Sequence, residues 1–598
     1  MLAPNSRLLL LDALRPPTGF RIDAAIATTY TLSLDALLIP PAAWALHAAA
    51  AGLESVDPIL LANSLRLFAD RTMVFHQAGA SSPFAHGNDQ LSAFLDEMVV
   101  PLRVGPGETF HPKVWVLRFT SDNGEVGLRV LIGSRNLSLD TTWDVLVSMD
   151  SGPKSAEAAS GRVLADLLRS LPGRSTVTIP QQRQELLESV VADLDAAYFV
   201  PPDGCLGAEI LWLSRNRRSS PFPPSCERRL VISPFLGASC LDGLPMPSEG
   251  ESSILVSRST SLTADLAAGF TPYTMTTDLG GVDDGSEARL GEELHAKVFA
   301  FDGDNGSTLI LGSANATGAA FTINDEVIVR LTGPTSSLGV NALLGEAEKE
   351  ADASDDLELI DLLEPWLPGD ELEADGDEDG RFYEDAIRLV ASAVLHGECT
   401  EHSDDHWEIA LWFDQQLDLP DGIGVDLRLL TESSYLSPAV MRAQEARLVV
   451  PLEGVTRFVV ARFSDLSGRL EALSVVLVAD MAVPEGRGRR ALRALLTDKD
   501  KFARFLRYLL EGVVGSVPGE DPGDVGGGVP QRGRTKRGRM LEDGPILEQL
   551  LRLLASQPSE LRHVDAVISD FADDGSILPD GFAELWSAIA PLIPKEQE

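Results

Sequence analysis

Short apolar runs, rich in β-branched residues, recur along the first 340 residues with helix-length segments between them, which is the pattern of an α/β domain. The runs that read as strands are RIDAAIATTY (21–30), TMVFHQA (72–78), HPKVWVLRF (111–119), GLRVLIG (127–133) and DVLVSM (144–149). They are followed by RRLVIS (228–233), SSILVS (252–257), HAKVFAF (295–301), STLILG (307–312) and EVIVRL (326–331). Beyond residue 386 the runs AIRLVASAVLHGE, HWEIALWFD, GVDLRLLTE, EARLVVPLEGVTRFVVARFSD and ALSVVLVADM predict a smaller antiparallel β-rich unit, a sandwich. A basic helix at 487–512 follows, then a Gly- and Pro-rich stretch read as a disordered linker, then a small helical tail. The predicted boundaries are 1–195 and 196–340 for two α/β halves, 341–385 for an acidic linker, 386–512 for the β-rich unit with its basic helix, 513–540 for the linker and 541–598 for the tail.

Charge changes this picture locally. The 598 residues carry a formal net charge of −41, which argues against a polyanionic ligand if charge is taken as a whole. Residues 346–385 alone hold eighteen acids and two bases. A site answers to its own surroundings, so the total does not exclude phosphate chemistry. Basic residues gather in the 487–507 helix, in the linker, and at the junction of the halves: Arg215, Arg217, Arg218, Arg228 and Arg229. Each cluster is either a solvated face or a guide for a polyanion.

Four irregularly spaced cysteines give no disulfide framework and point to a reducing cytoplasm. The uncharged stretch 36–53 is interrupted by Pro40, Pro41 and His47 and is read as a buried helix rather than a membrane span. The set Cys399, His402 and His406 resembles metal ligands by type, but lacks a fourth partner and is read as a polar loop.

The candidate chemistry comes from a repeat. His111 and Lys113 in "TFHPKVW" have a counterpart in His295 and Lys297 of "ELHAKVFAFD". Each His-x-Lys precedes an apolar run ending in Gly-Ser-x-Asn, with Ser134 and Asn136 in one copy and Ser313 and Asn315 in the other. An acid and another strand follow each time, Asp144 and Glu326, and "LSLDALL" and "ASCLDGL" occupy matching upstream places. A whole constellation appearing twice is a tandem duplication. Its chemistry fits phosphodiester cleavage: serine, asparagine and lysine donors hold the non-bridging oxygens, one histidine attacks phosphorus and the other protonates the leaving oxygen. No metal or cofactor is called for. A pair of satisfied strand histidines, or a degenerate site kept for binding, are the competing explanations.

These residues resemble the paired HxK...GSxN motifs of the phospholipase D superfamily, over roughly residues 20–335. The resemblance implies a duplicated pseudo-dimer, a mixed sheet flanked by helices in each half, with one site at the junction and a phosphohistidine intermediate. It implies catalytic roles for His111, Lys113, Asn136, His295, Lys297 and Asn315, supported by Ser134, Asp144, Asp302, Ser313 and Glu326. The Asp that follows Lys by five residues in the family is Asp302 in the second copy, but Arg118 stands there in the first. The chain looks most like the nuclease branch, some members of which accompany helicases in phage-defence or restriction systems. A nuclease acting on DNA or RNA is therefore expected, with a phospholipid hydrolase or transferase, or an idle nucleic-acid scaffold, as alternatives. A membrane partner is not expected.

Overall fold

The computed structural model describes residues 10–46, 58–85, 89–121, 123–140, 142–247, 253–275, 293–345, 358–369, 378–403 and 405–514. Near the C-terminus it describes 550, 551, 553–555, 561, 564, 565, 568, 571, 578, 579 and 582–593. Two eight-stranded mixed sheets carry the first part. The first contains β1 (Phe20–Thr29), β2 (Thr72–Gln77), β3 (Val99–Leu102), β4 (Val114–Ser121), β5 (Val126–Gly133) and β6 (Leu146–Gly152), in spatial order β6-β5-β4-β1-β2-β3. The second contains β7 (Gly207–Leu213), β8 (Arg228–Ile232), β9 (Ser253–Val256), β10 (Thr271–Met275), β11 (Val298–Gly303), β12 (Gly306–Gly312) and β13 (Glu326–Gly333). Its order, β13-β12-β11-β8-β9-β10, repeats the first strand for strand. Directions match too: β1, β2 and β3 run parallel, as do β8, β9 and β10, and the others are antiparallel.

Both faces of each sheet are apolar because both are covered, which is why the strands read as continuous apolar runs. Ala24, Ile26, Phe75, Val116 and Ile132 of the first sheet share one core with Leu230, Ile232, Val298, Leu311 and Val329 of the second. The outer face of the first sheet, Ala25, Ala27, Val74, Trp115 and Leu117, packs with helices α1 (Ile39–Leu46) and α2 (Pro58–Phe68). Helices α3 (Arg162–Ser170) and α4 (Gln181–Ala196) close the shared core from the side. No helix among the described residues is long and apolar enough to cross a membrane.

Several expectations change. Strands begin at Val114 and Val298, after the two His-x-Lys triplets rather than through them. Pro112 has no N–H to give a ladder, and the triplets pair elsewhere, as described below. The first sheet runs past residue 195, since Tyr198–Phe199 pairs with β6. The acidic 341–385 stretch is not only a linker: β14 (Leu363–Pro365) is the edge strand beside β10, and Leu359, Leu362 and Trp366 are buried. Residues 386–392, expected as a strand, belong to α5 (Glu378–Ser392). The burial of Tyr383, Ala386 and Val390 has the helical spacing.

Two three-stranded antiparallel sheets then share a core with α5, in agreement with a sandwich. One holds β15 (Leu395–Ser403), β16 (His406–Phe413) and β18 (Ala446–Pro451), the other β17 (Ile423–Leu429), β19 (Phe458–Asp465) and β20 (Leu473–Val478). Cys399, His402 and His406 lie on the β15–β16 hairpin. Cys399 meets the Met481 sulfur while the two histidines are exposed. The basic helix is two, α6 (Arg487–Leu495) and α7 (Lys499–Val514), with Asp498 capping the second through the Lys501 N–H. The tail, including α8 (Phe582–Ile589), joins the core over the first sheet, Phe571 and Phe582 lying against Phe502 of α7. The expected linker, apart from the end of α7, lies outside the described residues.

One buried ion pair fastens the β-rich unit to the first sheet. Asp96 is fully buried, takes Arg487 in a two-pronged contact at 2.6 and 2.9 Å, and accepts the Arg457 N–H at 3.0 Å. Arg487 spends its other donors on the Val455 and Ala93 carbonyls. Removing one member strands the other charge without water. Asp96→Ala is expected to destabilise the protein by about 3–5 kcal/mol, read as a lower urea midpoint. An unchanged midpoint would show that the two units hold together without this pair.

Candidate active site

The segments carrying the two triplets are exchanged between the sheets. The His111 N–H donates to the Asp325 carbonyl at 2.9 Å and the Asp325 N–H to the Thr109 carbonyl at 2.9 Å, so the first triplet leans on the segment entering β13. Reciprocally, Glu293–Leu294 runs parallel to Thr142–Trp143, and the His295 N–H donates to the Trp143 carbonyl at 2.8 Å. Each histidine is thereby held by the loop that carries the other copy's acid.

On one side that exchange makes a direct contact. Glu326 Oε2 lies 2.9 Å from His111 Nδ1 and also accepts the Ser313 hydroxyl. Glu326 is fully buried, and the His111 side chain is 12% exposed. A buried carboxylate on Nδ1 makes that nitrogen the protonated one and leaves Nε2 with a free lone pair. On the other side Asp144 makes no such bond. It stands 3.9 Å from Arg135 Nε, with its carboxyl raised by burial against the pull of that arginine. The shorter side chain explains the gap. His295 Nδ1 instead faces the Lys297 ammonium at 3.5 Å.

Both lysines are buried, and both fold back onto the carbonyl of their own histidine, Lys113 at 2.9 Å and Lys297 at 2.6 Å. Burial pushes Lys297 down to about 7, with Glu326 opposing, and holds Lys113 well below its ordinary value. Burial and then the two lysines push His295 down to about 3, and His111 is lowered mainly by burial. Both rings are thus neutral near pH 7, within electrostatic reach of both ammonium groups.

The Gly-Ser-x-Asn segments divide into support and site. Ser134 and Ser313 are fully buried and accept the Val145 and Val327 N–H groups at 3.0 Å, tying β5 to β6 and β12 to β13. Their hydroxyls serve the framework and, for Ser313, Glu326. Gly312 has φ 143°, and a Cβ there would stand 2.5 Å from the Val327 carbonyl oxygen, so only glycine lets this serine approach. Asn136 exchanges bonds of 3.4 Å with the Thr31 N–H and hydroxyl. Buried Asn315 Oδ1 and Glu326 Oε1 have no partner among the described residues.

Asp302 and Arg118 stand apart. Asp302 is at the far end of β11, about 16 Å along the strand from Lys297. It accepts the Ser307 hydroxyl and the Val340 N–H. Arg118 reaches Asp23, Ser189 and Asp193, bracing β4 against β1 and α4. Each position is a brace, so an Asp in one copy and an Arg in the other are compatible with the same centre.

Three contributors went unremarked in the sequence. The Tyr30 ring packs 5.5 Å from the His111 ring. Gln77, ending β2, accepts the Phe110 N–H at 2.9 Å, and Arg258, at the equivalent place after β9, donates to the Leu294 carbonyl at 3.1 Å. Each holds the residue before a catalytic-type histidine. Laying the run TMVFHQ (72–77) on SILVSR (253–258) would have paired them.

No family model and no curated protein matches the chain. Among solved structures, similarity is found to a polyphosphate kinase from Porphyromonas gingivalis, at 12% identity and a TM-score of 0.31, covering 64% of this chain and 51% of that one. It is also found to a phosphatidylserine synthase from Haemophilus influenzae, at 10% identity and a TM-score of 0.31, covering 64% of this chain and 92% of that one.

The lysine environment gives a pH test. A protonated ammonium attracts an anion, and in the empty site Lys297 holds its proton only below about 7. Sulfate affinity is therefore expected to weaken as pH rises through about 7, by up to about tenfold per unit. Calorimetric titration across that range checks it. Lys297→Met should flatten the profile, and a wild-type affinity that does not change would show that Lys297 stays charged.

Proposed function

We propose that the chain is a phosphodiesterase that works through a phosphohistidine and cleaves nucleic acid. The observation that carries this is the convergence of two buried Lys–His pairs on a single buried carboxylate, Glu326. Both lysines are lowered chiefly by burial, so each lacks the surroundings that would steady its positive charge. An anionic diester supplies what is missing, and burial makes each contact to it stronger than in water.

The two rings are suited to different halves of the reaction. His111 Nε2, with its lone pair exposed by the Glu326 contact, attacks phosphorus: the N–P bond forms as the P–O bond to the leaving group breaks. His295 carries its proton on Nε2 and turns its Nδ1 to the Lys297 ammonium; as the Nε2 proton goes to the departing oxygen, Lys297 gives one to Nδ1, so the ring stays neutral and the lysine becomes an amine, and the reverse transfer restores both when the proton of water arrives. Water then attacks phosphorus and loses a proton to His295, and His111 leaves as a neutral ring. Glu326 steadies the charge that develops on His111. Lys113, Lys297, Asn136 and Asn315 hold the non-bridging oxygens. Nucleic acid as substrate, a helicase partner, a phage-defence setting and a cytoplasmic location follow the motif resemblance, and the four cysteines are free thiols.

Wild type is expected to cleave single-stranded or plasmid DNA in EDTA, and His111→Ala and His295→Ala to lose it. Cleavage surviving in both variants would remove these residues from the reaction. The roles separate by leaving group. His295→Ala should cost about 10²–10⁴ on DNA but far less on a thymidine diester that expels p-nitrophenolate, which needs no proton. His111→Ala should abolish both. Equal losses in His295→Ala on the two substrates would reverse the assignment.

A further inference from the structure

Beside the centre lies a second concavity of about 710 Å³ between the two sheets, lined by four arginines, Arg103, Arg174, Arg215 and Arg217, and two carboxylates, Glu108 and Asp325. A cation-rich hollow is out of character in a chain of net charge −41. Its inner wall is the site's own scaffold. The Asp325 backbone holds His111, while its carboxylate accepts Arg174 at 2.7 Å and the Trp212 indole N–H at 3.0 Å. Arg174 lies over the ring of Phe110, the neighbour of His111, at 5.2 Å.

Trp212 is fixed by that bond, and the Arg217 guanidinium stacks on it at 4.3 Å. Arg217 is oriented by Asp166 at 3.1 Å and keeps 44% of its side chain exposed, so the outer face of the stack is open. Arg215 is held by Glu108 at 2.9 Å. Arg103 is exposed and makes no side-chain bond or ion pair among the described residues. By contrast Arg228 and Arg229, from the same basic stretch of sequence, are tied to Asn341 and to Ser253.

We infer that this hollow holds the nucleotides flanking the scissile phosphate of a single-stranded nucleic acid, a base lying on the Trp212–Arg217 stack and a phosphate on Arg103. The inference rests on the nuclease reading above. A hollow of this size suits a small ligand portion rather than a protein face. A flat cation on a fixed indole is a platform for a base of any sequence, and a single strand, unlike a duplex, has bases free to lie on it. Guanidinium groups on either side would follow the backbone charge.

The test uses the full chain with His111→Ala, so that nothing is cleaved, and a fluorescent oligothymidylate followed by anisotropy over a range of salt. Adding Arg103→Ala should flatten the dependence of log affinity on log salt by about 0.7, the loss of one phosphate contact on a single strand. Adding Arg217→Ala should weaken binding by about tenfold or more. Both side chains are at the surface, and thermal melting of each variant verifies folding. Affinities within about twofold of the parent and an unchanged salt slope in both variants would overturn the groove while leaving the nuclease reading intact. So would tighter binding of a duplex that ignores Arg217. A parent that binds no oligothymidylate, with a wild type that cleaves none, would instead remove the nuclease reading, and the groove with it.

Discussion

A charge taken out of water must find its opposite, and at this centre two ammonium groups and one carboxylate are taken out together. Lys113, Lys297 and Glu326 are all buried, and Glu326 also carries His111 and Ser313. The acid stands at the start of β13 in the second sheet, and the histidine it holds belongs to the first. The ion cluster can exist only if the ends of the two sheets meet, and the shared apolar layer between them makes that meeting stable. Even with Glu326 opposing it, burial loosens the hold of Lys297 on its proton, down to about 7.

The same strand order serves both copies, yet they have diverged where chemistry differs. Glu326 reaches its histidine, and Asp144, one carbon shorter, turns to Arg135. One ring is therefore anchored by a carboxylate while its fellow faces an ammonium. Gln77 and Arg258 repeat the theme, occupying one structural position with opposite hydrogen-bonding character and each fixing the backbone before a histidine. The two sheets share one strand order, and single residues within it make the two sides unequal.

Much of this was legible in the residues. The two His-x-Lys and Gly-Ser-x-Asn sets, and the apolar runs around them, mark the strands because these are buried on both faces and need no partner to be recognised. The exchange of triplet segments between sheets was not legible, since backbone pairing of His111 with Asp325 depends on residues more than two hundred positions apart. The strand Leu363–Pro365 was hidden because three residues in an acidic stretch carry no periodicity, and its place is decided by the open edge of β10. Ala386 and Val390 were misread because their helical spacing lies within a run of residues that also suits a strand. The serines were read as phosphate ligands by residue type, whereas their burial and their bonds to the following strand give them to the framework.

The β-rich unit is not a passenger on this centre. Gly79, just past β2, is pressed against α5 so closely that a Cβ would stand 2.8 Å from Ala391 and 2.9 Å from Ile387. Tyr30, whose ring rests by His111, has its hydroxyl raised first by burial and then by Glu384 of the same helix. The helix is thus within electrostatic reach of the rim of the site, and the Asp96–Arg487 pair pins its unit to the first sheet from another side. A movement of that unit could not leave the wall around His111 unchanged, because the contact is tight and the packing has no slack to absorb it.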